Sequence, residues 1–329
     1  MGKFYNGYEN ISVNLIDFKG NDLARAVCKF GALGEFYEGA DTLPYDPNHP
    51  HFQKVVEEVI NGKTFPKYAF EGSNISFQVN NISRVCLAQL TREKGFYCSQ
   101  SGDTRPLTQE FITPKAIYRR KDWMEKLEKI ERDIEDLYIE MCEDGITYME
   151  SRYFGFHAQT ISLTYNAQVM QWLNSCNSRT ENNFADEINY VYRLMRYELV
   201  KAIENEVTDP LSKKLWQWLL TFSDRKGFYK RDHTYNNDFA RYATPEGYDF
   251  GEKAHNDWRK SSWKIELEDM YREQPYLLLP GEKEMIEAWM EAESRGEELP
   301  ADYDPNDKFT AVTRIKDMYY YRPAEERNK

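Results

Sequence analysis

The fold is decided between Ile75 and Arg105, where the sequence reads ISFQVNNISRVCLAQLTREKGFYCSQSGDTR. Its first residues alternate between apolar and polar side chains, and the apolar positions are Ile75, Phe77 and Val79. A period of two is typical of a strand with one face on the core. The pair Asn80-Asn81 interrupts the alternation, so the sequence predicts a strand that ends there.

A short helix is predicted next, from Ser83 to Arg92. The apolar residues that this helix is expected to bury are Val85, Cys86 and Leu90. Arg84, Gln89 and Arg92 place two guanidinium groups and one amide along the same segment. For Arg84, a ligand contact and a structural ion pair are equally open interpretations.

A loop of small and polar residues is predicted after the helix, at positions 99–104. Its hydroxyl groups and free backbone N–H groups, including those of Ser101 and Gly102, can bind an anion. Arg105 adds a fixed positive charge whose fork of donors suits phosphate oxygens. A strand, a helix and an anion-binding loop in this order predict a nucleotide site.

The helix shares its spacing with a known family. Ser83-Arg84, Gln89-Leu90 and Arg92 follow the pattern Ser-Arg-x4-Gln-Leu-x-Arg, which resembles the signature of the flavin-dependent thymidylate synthases (ThyX). That signature continues with Arg-His-Arg-x7-Ser, and this chain departs from it. Arg92-Glu93-Lys94 replaces the triplet, and Gly102 stands where the serine is expected, with Ser101 one position earlier.

Further segments resemble the family in the same order along the chain. They are Asp17–Leu23, which resembles an N-terminal strand and its Gly-Asn-Asp turn, Phe70-Glu71, Arg152, Asn166-Ala167, and Arg179 followed by Glu187-Ile188. Gln168 stands where the family has the arginine of an Asn-Ala-Arg helix. The resemblance covers about residues 10 to 205, and an ordered series of motifs is more specific than any one of them. The C-terminal third is not covered.

The resemblance implies a role for each matched polar residue. Arg179 is the expected catalytic residue, because a guanidinium stays charged and can stabilise negative charge developing on a pyrimidine ring. The expected substrate-binding residues are Gln89, Ser101, Gly102, Arg105, Arg152 and Arg179. The expected cofactor-binding residues are Glu71, Arg92 and Asn166. The family also implies FAD as cofactor, methylenetetrahydrofolate and NADPH as co-substrates, and a homotetramer with active sites between subunits.

The implied activity is transfer of a one-carbon unit to C5 of a pyrimidine deoxynucleotide. The product is open between the methyl and the hydroxymethyl nucleotide, and the substrate between dUMP and dCMP, because the altered triplet lies where family members handle flavin and folate. The alternative is a flavin-less, non-catalytic homologue that binds a nucleotide or serves in assembly, since the family's histidines are absent.

The predicted fold class is α+β, resembling ThyX, with a mainly antiparallel sheet flanked by long helices. Residues 1–209 are expected to form the catalytic domain, and residues 210–329 a mostly helical C-terminal extension of unknown role. Helices are predicted at 123–141, 164–173, 183–203, from Pro210 onward and at 282–293. The first has apolar residues at spacings of three and four, and packing on the chain's own core is favoured over a partner-binding zipper.

Composition narrows the possible functions. The net charge of -12 over 329 residues disfavours general nucleic-acid binding but permits a small basic pocket. A mean hydropathy of -0.79 without a long apolar run predicts no membrane span. Five scattered cysteines and no signal peptide at the start predict a cytoplasmic protein with reduced thiols. The five histidines have no zinc-like spacing, so no metal site is expected.

Overall fold

The computed structural model describes residues 2–31, 43–62, 67–92, 96–100, 110–151, 153, 155–180, 187–220, 262–279 and 282–296. The chain divides into two compact units, Met1–Gly227 and Phe228–Lys329. The first unit therefore extends past the boundary expected at residue 209. The helix Pro210–Leu220 belongs to it, because the Ser212 hydroxyl accepts a hydrogen bond from Ala24 N at 2.9 Å and Trp216 Nε1 donates to Gly20 O at 3.1 Å.

A four-stranded antiparallel sheet lies at the centre of the first unit. The first unit has six described strands, four in this sheet and two in a separate pair. In chain order they are β1 (Lys3–Asn6), β2 (Ser12–Phe18), β3 (Asn74–Ser83), β4 (Phe96–Gln100), β5 (Glu110–Thr113) and β6 (Thr160–Gln168). The order in the sheet is β2-β3-β6-β4, and β1 and β5 form a separate parallel pair. Together with the helices, this sheet confirms the predicted α+β class.

The helices are short except for two. In the first unit they are α1 (Leu23–Ala26), α2 (Pro50–Ile60), α3 (Lys67–Glu71), α4 (Arg84–Leu90), α5 (Lys115–Tyr118), α6 (Lys121–Glu143), α7 (Tyr148–Ser151), α8 (Val169–Arg179), α9 (Glu187–Glu206) and α10 (Pro210–Leu220). In the second unit they are α11 (Ser262–Glu273) and α12 (Glu282–Ser294). The helices predicted at 123–141, from Pro210 onward and at 282–293 are confirmed, as is the part of 183–203 that the structure describes. None of the described helices has the length and apolar character needed to cross a bilayer.

The sheet has one apolar and one polar face. The apolar face is fully buried at Ile75, Phe77, Val79, Leu163 and Tyr165, and α8 and α9 pack against it. Trp172 of α8 lies with its ring centroid 5.9 Å from that of Phe77. The polar face carries the alternating residues Ser76, Gln78, Ser162, Thr164 and Asn166. The period-two pattern read from the sequence of β3 is therefore the core pattern of the sheet.

The expected end of β3 at Asn80-Asn81 is wrong, because the strand continues to Ser83. The pair forms a β-bulge, where the register with β6 shifts between Val79 and Ile82. Asn81 has a φ of 60°, which asparagine tolerates better than most residues. Its side-chain amide donates to Asn10 O at 3.1 Å. These contacts let the strand pass through two residues that normally favour a turn.

The helix expected at 164–173 is wrong in its first half. Residues up to Gln168 belong to β6, and α8 begins only at Val169. The buried residues of β6 recur with a period of two, at Ile161, Leu163, Tyr165 and Ala167. Because β3 and β4 pair with β6 on both sides, its backbone groups are satisfied as a strand and cannot form a helix.

The apolar stripe of α6 is only partly covered by its own chain, whereas the favoured prediction was packing on the core: Leu127, Ile134 and Met141 are half-buried. Trp123, Ile130 and Leu137 keep 43%, 46% and 44% of their surface exposed. The buried residue of this helix is Glu131, which lies beside Gly2 and Phe111 of the β1-β5 region. The helix therefore packs on its own chain through the side that carries Glu131, and the edge of the stripe formed by Trp123, Ile130 and Leu137 stays exposed.

Candidate functional site

A buried carboxylate ties the start of α9 to the start of α4. Ser83 is the N-cap of α4, and its hydroxyl oxygen accepts from Cys86 N at 3.1 Å. Glu187 accepts from Ser83 N at 2.5 Å and also from the Ser83 hydroxyl. Both residues are buried. A charged acceptor that receives two donors in a buried place makes strong hydrogen bonds, so the relative position of the two helices is fixed at this point.

This contact joins two segments that are about 100 residues apart in the chain, the Ser-Arg helix and the Arg-x7-Glu-Ile segment. The sequence marked Glu187 as part of a matching motif but gave no role for it. The signal in the sequence that could have indicated this role was a carboxylate, Glu187, that belongs to a matched motif but had no function assigned to it. In the structure Glu187 positions α4, which carries Gln89.

Helix α4 is shorter than predicted, ending at Leu90. Cys86 and Leu90 are buried as expected, whereas Val85 is 46% exposed, contrary to the prediction. A seven-residue helix buries only the stripe formed by positions four apart, and Val85 lies beside that stripe. Gln89 is half-buried in the last turn. Arg92 lies beyond the helix, is exposed, and its backbone N–H donates to Gln89 O at 3.2 Å.

Arg179 is the last residue of α8 and is half-buried. The next residue, Thr180, is fully buried and closes the helix. Its backbone N–H and its hydroxyl both donate to Cys176 O, at 2.9 and 2.7 Å. Because α8 also packs on α9, the side chain of Arg179 extends from a rigid backbone, which suits a group that must hold one geometry.

The expected cofactor residues Glu71 and Asn166 lie near the end of the sheet where β6 finishes. Asn166 stands between Ser76 of β3 and Tyr97 of β4, and the Ser76 hydroxyl donates to its Oδ1 at 2.5 Å. Glu71 ends α3. Two residues after Glu71, the carbonyl of Ser73 accepts from Val169 N at 2.8 Å. The segments that hold these two residues are therefore adjacent.

A cavity of about 620 Å³ lies at the same end of the sheet. Its lining is Asp17, Phe18, Lys19, Gly20, Asn21, Asp22, Gly72, Asn74 and Glu206. This lining includes the Gly-Asn-Asp turn, and the side chain of Asn21 in that turn makes structural hydrogen bonds. Asn21 Oδ1 accepts from Thr208 N at 2.7 Å and from Asp209 N at 2.8 Å. The turn therefore holds the start of α10 in place.

The remaining expected residues are the phosphate-binding ones. Ser101, Gly102, Arg105 and Arg152 lie outside the described residues, as do Glu93 and Lys94 of the altered triplet. The loop predicted from position 99 is wrong at its start, because Ser99 and Gln100 belong to β4. Of the described residues, the structure brings Glu71 near Asn166. Arg179 lies at the far end of α8, about 15 Å along the helix axis from Val169.

A second cluster of titratable groups, half-buried at Tyr45 and Asp209, has a structural role. The Tyr45 hydroxyl donates to the Asp209 carboxylate at 3.0 and 3.1 Å, and Asp209 also accepts from Ser212 N at 2.6 Å at the start of α10. Burial, and then the Asp209 charge, raise the pKa of Tyr45. The same causes raise the pKa of Cys28 to about 12. A thiol in this environment is inert at neutral pH.

We expect Cys28 to react with a thiol reagent at pH 8 at least about tenfold more slowly than Cys142, because only the thiolate attacks and its fraction falls as the pKa rises. Cys142 is half-buried and Cys28 is fully buried. Labelling followed by peptide mass spectrometry measures both sites in one sample. In urea the two rates should become equal. Equal rates in the native protein would contradict the buried, high-pKa environment of Cys28.

The described part of the chain contains no group of three or more His, Cys, Asp and Glu side chains that could hold a metal ion. His49 instead caps α2, its Nδ1 accepting from His51 N at 3.2 Å. Burial, and then the neighbouring His49, lower the pKa of His51. The described cysteines Cys28, Cys86, Cys142 and Cys176 are free thiols.

The family model described as thymidylate synthase complementing protein (Thy1) matches residues 42–204. This range holds all nine expected site residues, α4, and the Arg179 and Glu187 segment. Residues 42–204 therefore match the ThyX family, and the resemblance noted in the sequence is confirmed.

Solved structures of that fold resemble this chain at low identity. The UMP/dUMP methylase PolB from Streptomyces cacaoi, bound with 5-Br dUMP, has a TM-score of 0.47 and 15% identity, and the match covers 65% of this chain and 97% of that one. The same protein bound with 5-Br UMP gives a TM-score of 0.47, 12% identity and coverage of 67% and 98%. ThyX from Helicobacter pylori with FAD and dUMP gives 0.40, 15%, 61% and 99%. No curated protein matches the sequence significantly.

Proposed function

We propose that this protein transfers a one-carbon unit to C5 of a pyrimidine deoxynucleotide, methylating dUMP or hydroxymethylating dUMP or dCMP. The observation that carries the proposal is the family match over residues 42–204. The contact of Glu187 with Ser83 supports it, because it fixes the start of α4, the helix that carries Gln89, against α9.

The proposed chemistry needs a nucleophilic C5. As that carbon attacks, negative charge develops on the ring oxygens, and the guanidinium of Arg179 is the group proposed to stabilise it. Gln89 can read the pyrimidine edge, because its amide both donates and accepts hydrogen bonds. The expected phosphate ligands are Ser101, Gly102, Arg105 and Arg152. Holding the phosphate aligns the ring with the carbon donor, methylenetetrahydrofolate.

The three expected cofactor residues fit a flavin in their chemistry. The amide nitrogen of Asn166 has no hydrogen-bond partner among the described residues and can donate to a ring carbonyl. Arg92 is exposed and suits a phosphate, and Glu71 can accept from a ribose or ring N–H. FAD, when bound and reduced by NADPH, would supply the electrons that turn the transferred carbon into a methyl group. The role of these three residues is to bind and orient it.

The proposed assembly is a homotetramer with sites shared between subunits. Within one chain, Arg179 and Asn166 are separated by the length of α8, so a site using both residues is more easily completed by two copies. We further propose that the enzyme works in the cytoplasm, where the free thiols of the described cysteines would persist.

Incubation with dUMP, dCMP or UMP together with methylenetetrahydrofolate tests the proposal, with and without FAD and NADPH. Mass spectrometry of the nucleotides is expected to show a methyl or a hydroxymethyl group on one of them. An unchanged nucleotide pool under all conditions would remove the proposed activity.

The rival function is a flavin-less, non-catalytic nucleotide-binding or assembly subunit, which the replaced Arg-His-Arg triplet favours. The two functions differ in a simple property. The enzyme is expected to show flavin absorbance after addition of FAD and desalting, together with a rise in melting temperature. The rival should remain colourless with an unchanged melting temperature.

A further inference from the structure

Helix α6 exposes a regular apolar seam. Its residues are Trp123, Leu127, Ile130, Ile134, Leu137 and Met141, which recur at alternating spacings of four and three. This is the spacing of the contact positions in a coiled coil. Trp123, Ile130 and Leu137 are 43% to 46% exposed, and the other three are half-buried. A seam that is left partly uncovered along a helix of 23 residues, about 34 Å long, marks an interaction surface.

The charge along α6 is unevenly distributed. All four of its basic residues lie in the first half, namely Lys121, Lys126, Lys129 and Arg132, together with four acids. The second half, residues 133–143, has five acids and no base. If two copies of α6 lay side by side in parallel, the acidic second half of one copy would lie against the acidic second half of the other. In an antiparallel pair, the half with the basic residues meets the acidic half twice.

From the seam and the charge distribution together, we propose that α6 pairs with α6 of a second copy of this chain, antiparallel and around a two-fold axis near residue 132. The spacing of the seam is symmetric about that point. It sets Trp123 against Met141, Leu127 against Leu137 and Ile130 against Ile134 of the second copy. A two-fold contact of this kind uses the same surface on both subunits.

The antiparallel direction also fixes the flanking ion pairs. The positions next to the seam on one side are Lys126, Asp133 and Glu140. In the antiparallel alignment, Lys126 lies beside Glu140 of the second copy, and the reciprocal pair forms at the other end. A parallel pair would instead place Lys126 beside Glu131 of the second copy and leave Glu140 without a basic neighbour, so exchange of the two charges distinguishes the directions.

The seam is tested by the mass of the full chain in solution, measured by sedimentation. Wild type is expected at a multiple of 39.1 kDa of two or more. Ile130→Lys and Leu137→Glu should each halve that mass. The matched control is Ile139→Lys, because Ile139 is 44% exposed on the same helix but off the seam; it should leave the mass unchanged. A monomeric wild type, or equal effects of Ile130→Lys and Ile139→Lys, would overturn the proposal.

The direction is tested by exchanging charges. Lys126→Glu and Glu140→Lys should each weaken association about tenfold at low salt, and the double variant should restore it. Failure of the double variant to recover would overturn the antiparallel pair. Neither experiment depends on nucleotide chemistry, so an inactive protein that still pairs through α6 would count against the proposed function alone.

Discussion

Replacing Glu187 with alanine is expected to lower the free energy of unfolding by about 3 kcal/mol. The carboxylate accepts from both the backbone N–H and the hydroxyl of Ser83 in a buried place. Its removal leaves one buried N–H without an acceptor and a cavity between α4 and α9. Urea unfolding monitored by tryptophan fluorescence measures the effect.

Three comparisons separate the contact from general damage. Glu187→Gln keeps one acceptor and the side-chain volume, so it should cost about 1 kcal/mol. Glu204→Ala, an exposed site on the same helix, should change stability by less than about 0.5 kcal/mol. Ser83→Ala combined with Glu187→Ala should cost clearly less than the sum of the single changes. Additive effects would mean that the two side chains do not interact as described.

Replacing Arg179 with alanine is expected to lower kcat/KM for the pyrimidine nucleotide by about 10²- to 10³-fold, the usual effect of removing a group that stabilises developing charge. Arg179→Lys should recover only part of the activity, because an ammonium lacks the rigid fork of donors. Steady-state kinetics measures both variants, and the melting temperature checks that α8 is intact.

Arg25→Ala provides the control for Arg179. Arg25 is an exposed arginine of α1 with a weak ion pair to Asp22 at 3.9 Å, and its loss should leave kcat/KM within about twofold. If Arg179→Ala retained full activity with the native melting temperature, the assigned catalytic role would be wrong.

Local patterns in the sequence were sufficient to predict some of the helices. The helix predicted at 183–203 is present as α9, and its apolar residues Ile188, Val191, Met195 and Leu199 are buried, because a helical period of apolar residues needs only one adjacent core face. The helix predicted to start at Ser83 begins at Arg84, and Ser83 is its N-cap. Helix α10 begins at Pro210, as expected of a proline that fits a first turn.

Elements decided by distant partners were not predictable in the same way. Asn80-Asn81 reads as a turn, yet pairing with β6 and the bond to Asn10 keep it within a strand. Asn166 lies in β6 because strands pair on both its sides, which no local pattern specifies. The link between Ser83 and Glu187 joins residues 104 positions apart. Such contacts depend on the assembled sheet and helices.

Helix α6 shows a related limit of periodicity. The sequence correctly predicts the helix and its apolar face, but the same spacing fits a core and a subunit interface. Glu131 lies against Gly2 and Phe111, and this orientation of the helix leaves Trp123, Ile130 and Leu137 at the exposed edge of the seam. The spacing of the apolar residues identifies the apolar face of a helix but not the surface that covers it.

The central proposal is that the protein substitutes C5 of a pyrimidine nucleotide, and dUMP carrying tritium at C5 tests it most directly. Forming a carbon–carbon bond at C5 must release that hydrogen, whether the product is methyl or hydroxymethyl. The proposal predicts release of tritium to water that requires methylenetetrahydrofolate and is lost in Arg179→Ala. Retention of all tritium in dUMP, and likewise in dCMP labelled at C5, with FAD, NADPH and the folate present, would contradict it.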